Sequence, residues 1–185
     1  APIAGDGELT NKTLVILGYG GIGSQVAKLG KAFGMRVTGI RRNPQDDEHA
    51  DEVLGLDRFE ELLPLTDYLV LSLPDSPQTR DIINADILEK LSSSAMIINV
   101  GRGTAINEED LSDALNGEKI AAAALDTTKV EPLDASSSLW TAKNCFISAH
   151  DSAHSLLSLE RAFELFFQNI KNIKNGDQIV NLYSE

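Results

Sequence analysis

The sequence predicts an α/β fold, a doubly wound parallel sheet in a single domain, on three observations. Short apolar runs alternate with amphipathic segments along nearly the whole chain. Each run is apolar at consecutive positions, the pattern of strands covered on both faces. The first run ends in Gly18-Tyr-Gly-Gly-Ile-Gly23, a glycine pattern set between a strand and a helix, which is the context dinucleotide binding requires.

Taken in order, residues 1–12 hold Pro2, Gly5, Gly7 and Asn11 and read as a linker entering the first strand. Leu14 to Leu17 form that strand, which stops at Gly18. Gly18, Gly20 and Gly23 complete G-x-G-x-x-G. The first permits a tight turn, the second lets backbone approach a pyrophosphate, and the third lets the helix pack close to the strand. A diphosphate would then sit on the helix N-terminus, where free N–H groups and the dipole favour an anion. Glycine clusters also make ordinary turns; the flanking strand and helix favour the cofactor reading. Ile22, Val26, Leu29 and Phe33 fall on one face of this helix.

Residues 35–40 make a second strand, followed by a polar run over 41–52. Asp57-Arg-Phe-Glu60 has capping-box spacing and starts a short helix ending near Pro64. Residues 68–73 are a third strand, closed by Pro74; Asn84 caps a helix through Leu91; residues 96–100 are a fourth strand. Asn107 opens a helix with Glu108, Glu109 and Asp110 in its first turn, where negative charge suits the dipole, and Gly117 stops it. Residues 120–125 are an alanine-rich strand and residues 146–149 a short one. A last helix runs from Ser155 to Gly176, with Leu156, Leu159, Phe163, Phe166, Ile170 and Ile173 spaced by three and four. Packing of this seam on its own domain is the expectation; Leu157 and Phe167 lie off it and are candidates for meeting another domain or subunit. The dinucleotide-binding domain is thus expected over 13–176, with 177–185 a tail.

A chain of 185 residues, 42% hydrophobic and 24% charged, has the composition of one soluble globular domain. Its net charge of −12 repels polyanions and argues against nucleic-acid or acidic-membrane binding. The single cysteine, Cys145, excludes an intrachain disulfide and suits a reducing cytoplasm. It stands before an apolar run and reads as packing. No apolar run approaches the ~20 residues that span a bilayer, and no leader is visible. No histidine or cysteine pair has metal-ligand spacing, so no metal is expected.

In open parallel sheets, ligands sit beyond the carboxyl ends of the strands. That rim collects Gly18 to Gly23, then Arg41 and Arg42, Leu73 and Pro74, Gly101-Arg102-Gly103, Asp126 with Glu131, and His150. An NAD site usually offers an acid about 20 residues past the glycines to hold the ribose 2′-hydroxyl. Here two guanidiniums stand instead, and they suit the 2′-phosphate of NADP. The plainer alternative is a solvated basic pair beside Asp46, Asp47 and Glu48. Arg102, between two glycines, is placed to clamp a carboxylate and polarise an adjacent carbonyl; its structural alternative is a salt bridge. His150 shares the rim with Glu131, and a carboxylate on one ring nitrogen orients an imidazole and raises its pKa. Such a pair can deliver a proton to a carbonyl oxygen as hydride arrives at carbon. His154 reads as a surface or helix-start residue, and His49 as part of the acidic loop.

Five stretches carry a resemblance: Gly18 to Gly23, Leu73-Pro-Asp-Ser-Pro-Gln-Thr79, Asn99-Val-Gly-Arg-Gly-Thr-Ala-Ile-Asn107, Ala124-Leu-Asp-Thr-Thr128 with Glu131-Pro-Leu133, and Ile147-Ser-Ala-His-Asp-Ser152. In this order the chain resembles, over nearly its whole length, the cofactor-binding domain of the D-isomer-specific 2-hydroxyacid dehydrogenases. The resemblance implies a Rossmann-type fold and interconversion of 2-oxo and D-2-hydroxy acids with a nicotinamide cofactor. It implies Arg102 on the substrate carboxylate and carbonyl, His150 as acid/base with Glu131 as its partner, and Asp126 on the nicotinamide carboxamide. Gly21 and Ile22 would offer backbone to the pyrophosphate, and Thr79 would lie near the ribose-phosphate side. The cofactor set is completed by Tyr19, Gly20, Arg42, Leu73, Pro74, Val100 and Gly101. Arg41 stands where the family commonly has an acid, which moves the expectation to NADP, with NAD the alternative. Ala149-His150-Asp151 replaces the usual Pro-His-hydrophobic run.

The family also has an upstream domain that closes over the cofactor. This chain is expected to begin at the linker, to carry the return tail at 177–185, to bind NADPH without turnover on its own, and to form a homodimer. A reading from another class is a nucleotide-sensing module without turnover, like the corepressors that share the fold. The trio Arg102, Glu131 and His150 favours the enzyme, because a binding module needs no acid/base pair.

Overall fold

The computed structural model describes residues 7–181; the first six residues of the expected linker and the last four of the expected tail lie outside the described residues. In chain order the elements are β1 (Thr13–Leu17), α1 (Gly21–Ala32), β2 (Arg36–Ile40), β3 (Glu52–Leu54), α2 (Phe59–Leu62) and β4 (Tyr68–Leu71). They continue with α3 (Ala85–Lys90), β5 (Met96–Asn99), α4 (Glu108–Asn116), β6 (Ala122–Leu125), β7 (Cys145–Ile147) and α5 (Ser158–Asn175). The seven strands form one sheet in the order β3-β2-β1-β4-β5-β6-β7, and every pairing is parallel. This is the doubly wound sheet the sequence predicts.

Because the chain starts mid-sheet, the strand order reverses between β1 and β4. Leu17, at the end of β1, aligns with Ile40 on one side and Leu71 on the other. The loops after these strands diverge there, and the crevice between them is where open α/β sheets take ligands. Alternate residues of β1 enter opposite layers. Val15 and Leu17 join the layer with Leu69, Leu71, Ile97 and Leu111, whereas Leu14 and Ile16 join Ala27, Val37 and Val70. All four β1 side chains are at most 4% exposed, so each contributes on the order of 1.5–3 kcal/mol of burial.

Two local expectations are corrected. The polar run 41–52 leads into the edge strand β3, paired to β2 through Thr38↔Glu52; with Val53 alone buried, it leaves no apolar signature. The Asp57–Glu60 capping box does not form. Residues Leu56–Arg58 make a 3-10 turn, and α2 starts at Phe59, whose ring is buried, without a side-chain cap bond from Arg58. On α1, Ile22, Leu29 and Phe33 are exposed, Val26 packs half-buried against the core, and Gly23, Ala27 and Gly30 face the sheet. A Cβ at Gly30 would come 2.6 Å from Leu14 Cδ2, so the helix lies too close for larger side chains. The caps at Asn84 and Asn107 form as expected, accepting from Ile87 N at 3.2 Å and Asp110 N at 3.3 Å.

All seven strands lie in a compact unit ending at His150; residues from Asp151 form a second unit. Within that second unit, α5 ends at Gly176 in a left-handed conformation, φ 76°. The chain then turns back on α5: Asn169 exchanges two hydrogen bonds with the Val180 backbone, at 2.9 and 3.0 Å, and Asn172 Nδ2 donates to Gln178 O at 2.8 Å. Among the described residues of this unit nothing covers Leu159, Phe163, Phe166 and Ile173 of the α5 seam. Periodicity marks an apolar face but carries no information about what covers it. No helix among the described residues is long and apolar enough to cross a membrane.

Candidate active site

The phosphate-side turn is built by close backbone contacts. Gly18 has φ +100°, and a Cβ there would lie 2.7 Å from Ser72 O. Ser72 Oγ in turn donates to Gly18 O at 2.8 Å, while Gly18 N and Tyr19 N both donate to Ile40 O. At Gly23 a Cβ would lie 2.8 Å from Gly18 O. Gly20 is different, because nothing lies within 4 Å of where its Cβ would be. The protein's own packing does not require glycine there, nor at Gly21, which is equally open, and open backbone at such a turn is what a diphosphate would need. The turn delivers the chain to a 12-residue helix whose first turn has no acidic residue and no side-chain cap, leaving its N–H groups for an anion. These residues fit a dinucleotide.

Tyr19 and Arg41 mark the other side of this turn. The Tyr19 ring is 3% exposed and packs where a Cβ on Gly39 would otherwise sit. Its hydroxyl is buried and meets no hydrogen-bond partner among the described residues. Burial, and then the nearby Asp47 carboxylate, push the phenol up to about 12. Asp47 itself is held below the usual carboxylate range, first by the His49 N–H, which donates to it at 2.8 Å. Arg41 follows β2 directly, with its backbone N donating to Leu54 O; Arg42 is exposed.

On the reaction side, Arg102 rides on a loop fixed from beneath. Asn99 ends β5 fully buried. Its Oδ1 accepts from Gly101 N at 3.0 Å and its Nδ2 donates to Arg102 O at 3.1 Å. The flanking glycines serve close approach, with φ negative at both. A Cβ at Gly101 would lie 2.7 Å from Leu73 N, and one at Gly103 would overlap the Thr128 carbonyl. The structural salt bridge considered for Arg102 is not made among the described residues. The guanidinium is exposed and, among the described residues, bonds only Gly101 O, at 2.8 Å.

Glu131 and His150, 19 residues apart, meet at 2.7 Å between Oε2 and Nδ1. The other carboxylate oxygen accepts from Thr128 N at 3.1 Å. The His150 bond, ahead of the Thr128 N–H, holds Glu131 below the usual carboxylate range against the opposing effect of burial. Glu131 is therefore ionised at neutral pH, so Nδ1 carries the proton of the pair and Nε2 is the nitrogen left for a ligand. His150 has φ +54°, a left-handed conformation uncommon outside glycine. Arg102, Glu131 and His150 line one cavity of about 180 Å³ together with Asp75, Thr104 and Lys129. That size suits a ligand of a few heavy atoms.

Other expected residues are placed separately. Asp126, at the end of β6, is buried, and Ser148 Oγ donates to its Oδ1 at 2.7 Å. Thr79 spends its hydroxyl on the loop after β4, donating to Pro74 O at 2.8 Å and accepting from Ser76 N at 3.0 Å. Val100 N donates to Leu71 O, which ties the Arg102 loop to the strand preceding Leu73 and Pro74. Sequence reading gave no role to Asn99, Ser148 or the Asp75–Thr104 pair. Asn99 had a signal: it is a polar residue ending an otherwise apolar strand. Among the described residues no cluster of three or more His, Cys, Asp or Glu is arranged for a metal ion.

A glycine turn between strand and helix at the switch point of a parallel sheet is the architecture of a dinucleotide-binding domain, here with a guanidinium and a carboxylate-held imidazole on the same rim. The chain belongs to the D-isomer specific 2-hydroxyacid dehydrogenase family: its residues 3–152 match that family's NAD binding domain. It is 35% identical to a hydroxypyruvate reductase of Blautia hydrogenotrophica over 93% of this chain and 53% of that protein. It is 38% identical to the Homo sapiens glyoxylate reductase/hydroxypyruvate reductase over 77% of this chain and 44% of that protein. The structure of an NADPH-dependent glyoxylate/hydroxypyruvate reductase from Sinorhizobium meliloti, in complex with NADP and sulfate, superposes with TM-score 0.85 at 29% identity, covering 97% of this chain and 58% of that one. The chain spans about half the length of the curated relatives it matches.

Proposed function

We propose that this chain holds the coenzyme and supplies the acid/base group for hydride transfer between NADPH and a small 2-oxo acid, of the glyoxylate or hydroxypyruvate type. The observation that carries the reading is the cavity in which Arg102, paired with no carboxylate among the described residues, faces an imidazole already held by Glu131. A nucleotide-sensing module would have no use for that arrangement. When bound, the nicotinamide cofactor supplies or accepts the hydride. The residues Gly18 to Gly23 and the start of α1 would hold its diphosphate, Arg41 and Arg42 its 2′-phosphate, and Asp126, steadied by Ser148, its carboxamide. Arg102 holds the substrate carboxylate and draws electron density from the neighbouring carbonyl. His150 keeps a proton at Nε2 for the carbonyl oxygen, and Glu131 stabilises the imidazolium that precedes its transfer. In the reverse direction, neutral Nε2 takes the hydroxyl proton.

Preference for NADPH over NADH belongs to the same proposal, supported by two guanidiniums where an acid is usual. So do a homodimer and a cytoplasmic setting; the first rests on the family resemblance and the second on the single free cysteine, Cys145. The test uses oxamate, a 2-oxo acid isostere that accepts no hydride. In the presence of NADPH it is expected to bind the chain, and Arg102→Gln is expected to weaken it roughly tenfold or more, the loss of a charge-assisted bidentate contact. Oxamate affinity unchanged in Arg102→Gln would overturn the assignment. In the same titrations, Arg41→Asp is expected to reverse the preference between NADPH and NADH.

A further inference from the structure

The cavity has a second charged wall that the proposed chemistry does not use. Asp75, in the loop after β4, lines it next to Thr104, two residues past Arg102, and Lys129. Its partners all meet one oxygen: Thr104 Oγ1 donates to Oδ1 at 2.8 Å and Arg80 Nη2 to the same atom at 3.3 Å. Among the described residues nothing bonds Oδ2. Lys129, the other charged group on this wall, is already paired with Asp81 at 2.5 Å. Glu131 is committed to His150 and Thr128. Asp75 therefore brings to the cavity lining a carboxylate steadied through Oδ1 by a hydroxyl and a guanidinium, with the accepting capacity of Oδ2 unused among the described residues.

Such an oxygen does two things to a ligand whose carboxylate sits on Arg102. It accepts a hydrogen bond from a donor on the far end of the ligand, and it repels an anionic group placed there. In a space of about 180 Å³, the far end of a 2-oxo acid is the substituent on C3. We infer that Asp75 is a specificity determinant, selecting 2-oxo acids with a hydroxyl on C3 and rejecting those with a second anionic group there. The inference rests on the proposed reading of the cavity as the substrate site. Hydroxypyruvate is the favoured class; oxaloacetate and 3-phosphohydroxypyruvate are the excluded one.

Asp75→Asn removes the charge and keeps an oxygen for Thr104, so the loop contact survives the change. Dissociation constants for hydroxypyruvate, pyruvate and oxaloacetate are measured by ligand-observed NMR on the chain with saturating NADP+, where no hydride is available. The parent is expected to bind hydroxypyruvate more tightly than pyruvate, and oxaloacetate most weakly. In Asp75→Asn the oxaloacetate-to-hydroxypyruvate ratio of dissociation constants is expected to fall about tenfold, a difference of about 1.4 kcal/mol. The parent's ratio is also expected to shrink as salt is raised, since screening weakens the repulsion; a purely structural role for Asp75 would leave that salt dependence absent. Unchanged ratios in Asp75→Asn, with both acids bound by the parent, would sink the role of Asp75 and leave the substrate site standing. Failure of the parent with NADP+ to bind any of the three acids would overturn both. A comparable loss of NADP+ affinity in Asp75→Asn would assign Oδ2 to a cofactor hydroxyl and so overturn the inference.

Discussion

Replacing Asn99 by alanine tests how the fold holds the reaction loop. Asn99 is completely buried and makes two hydrogen bonds to the backbone of that loop, at 3.0 and 3.1 Å. Each is worth about 1 kcal/mol net, and a buried N–H left without a partner costs a further 1–3 kcal/mol or so. Gly101 N is that buried donor; Arg102 O, on an exposed residue, can turn to water. The expected loss is therefore roughly 3–4 kcal/mol, a large share of a typical domain stability of about 5–15 kcal/mol. Urea denaturation followed by circular dichroism measures it. Asn99→Asp sharpens the test: the acid keeps an acceptor for Gly101 N but, when ionised, has no donor for Arg102 O. Burial raises the folded-state pKa of such a carboxyl, so the folded protein binds the extra proton more readily. Its penalty relative to the parent should be larger at pH 7 than at pH 5, where the protonated form recovers the donor. A loss below about 1 kcal/mol for Asn99→Ala, or a penalty for Asn99→Asp that does not change with pH, would refute the view that this side chain anchors the loop.

Two other perturbations act through named contacts. Asp67 accepts from Thr13 N at 2.8 Å and pairs with Lys12 Nζ at 2.9 Å. Burial opposes its ionisation, but the Thr13 and Lys12 contacts prevail and lower its pKa. Its contribution is thus present above the unfolded carboxyl value and lost as pH falls through the lower folded one. Parent and Asp67→Asn should differ by about 1 kcal/mol at pH 7, since Lys12 is partly exposed and screened, and converge as pH falls through the lowered folded value; parallel curves across the acid range would contradict this. Gly103→Ala puts a Cβ into the Thr128 carbonyl, backbone that cannot step aside. It should cost about 3 kcal/mol or more in thermal or urea unfolding, beyond what side-chain overpacking alone would give, and a neutral result would mean the two loops are not in contact in solution.

Much of the fold was legible because its signals are local. Strands β1, β4 and β5 are apolar runs, and the caps at Asn84 and Asn107 precede helices by fixed offsets. The edge strand β3 was hidden because one buried residue, Val53, makes no pattern. The buried face of α1 was not legible from its apolar stripe for a physical reason: where helix and sheet approach closely, glycine and alanine form the contact, and of the larger apolar residues only Val26 reaches the core. In the site, Glu131 and His150 could be brought together from sequence because the strand-end rule places both on one rim. The supports could not. Ser148 reaches Asp126 across 22 residues and Thr104 reaches Asp75 across 29, and short polar side chains in loops carry no periodicity that announces a distant partner.

The contacts around the end of β4 have a consequence for engineering. Gly18 and Gly101 press on adjacent backbone, at Ser72 and Leu73, each so closely that a single carbon would not fit. The glycine turn and the arginine loop are therefore clamped to the same two residues, and that span works as a fixed gauge for how far Gly18 lies from the Arg102 loop. Arg41 hangs from the other flank of β1, outside the gauge. On the proposed cofactor reading, Arg41→Asp would change preference while leaving the spacing of these two loops alone, whereas an insertion between Ser72 and Pro74 would disturb both at once.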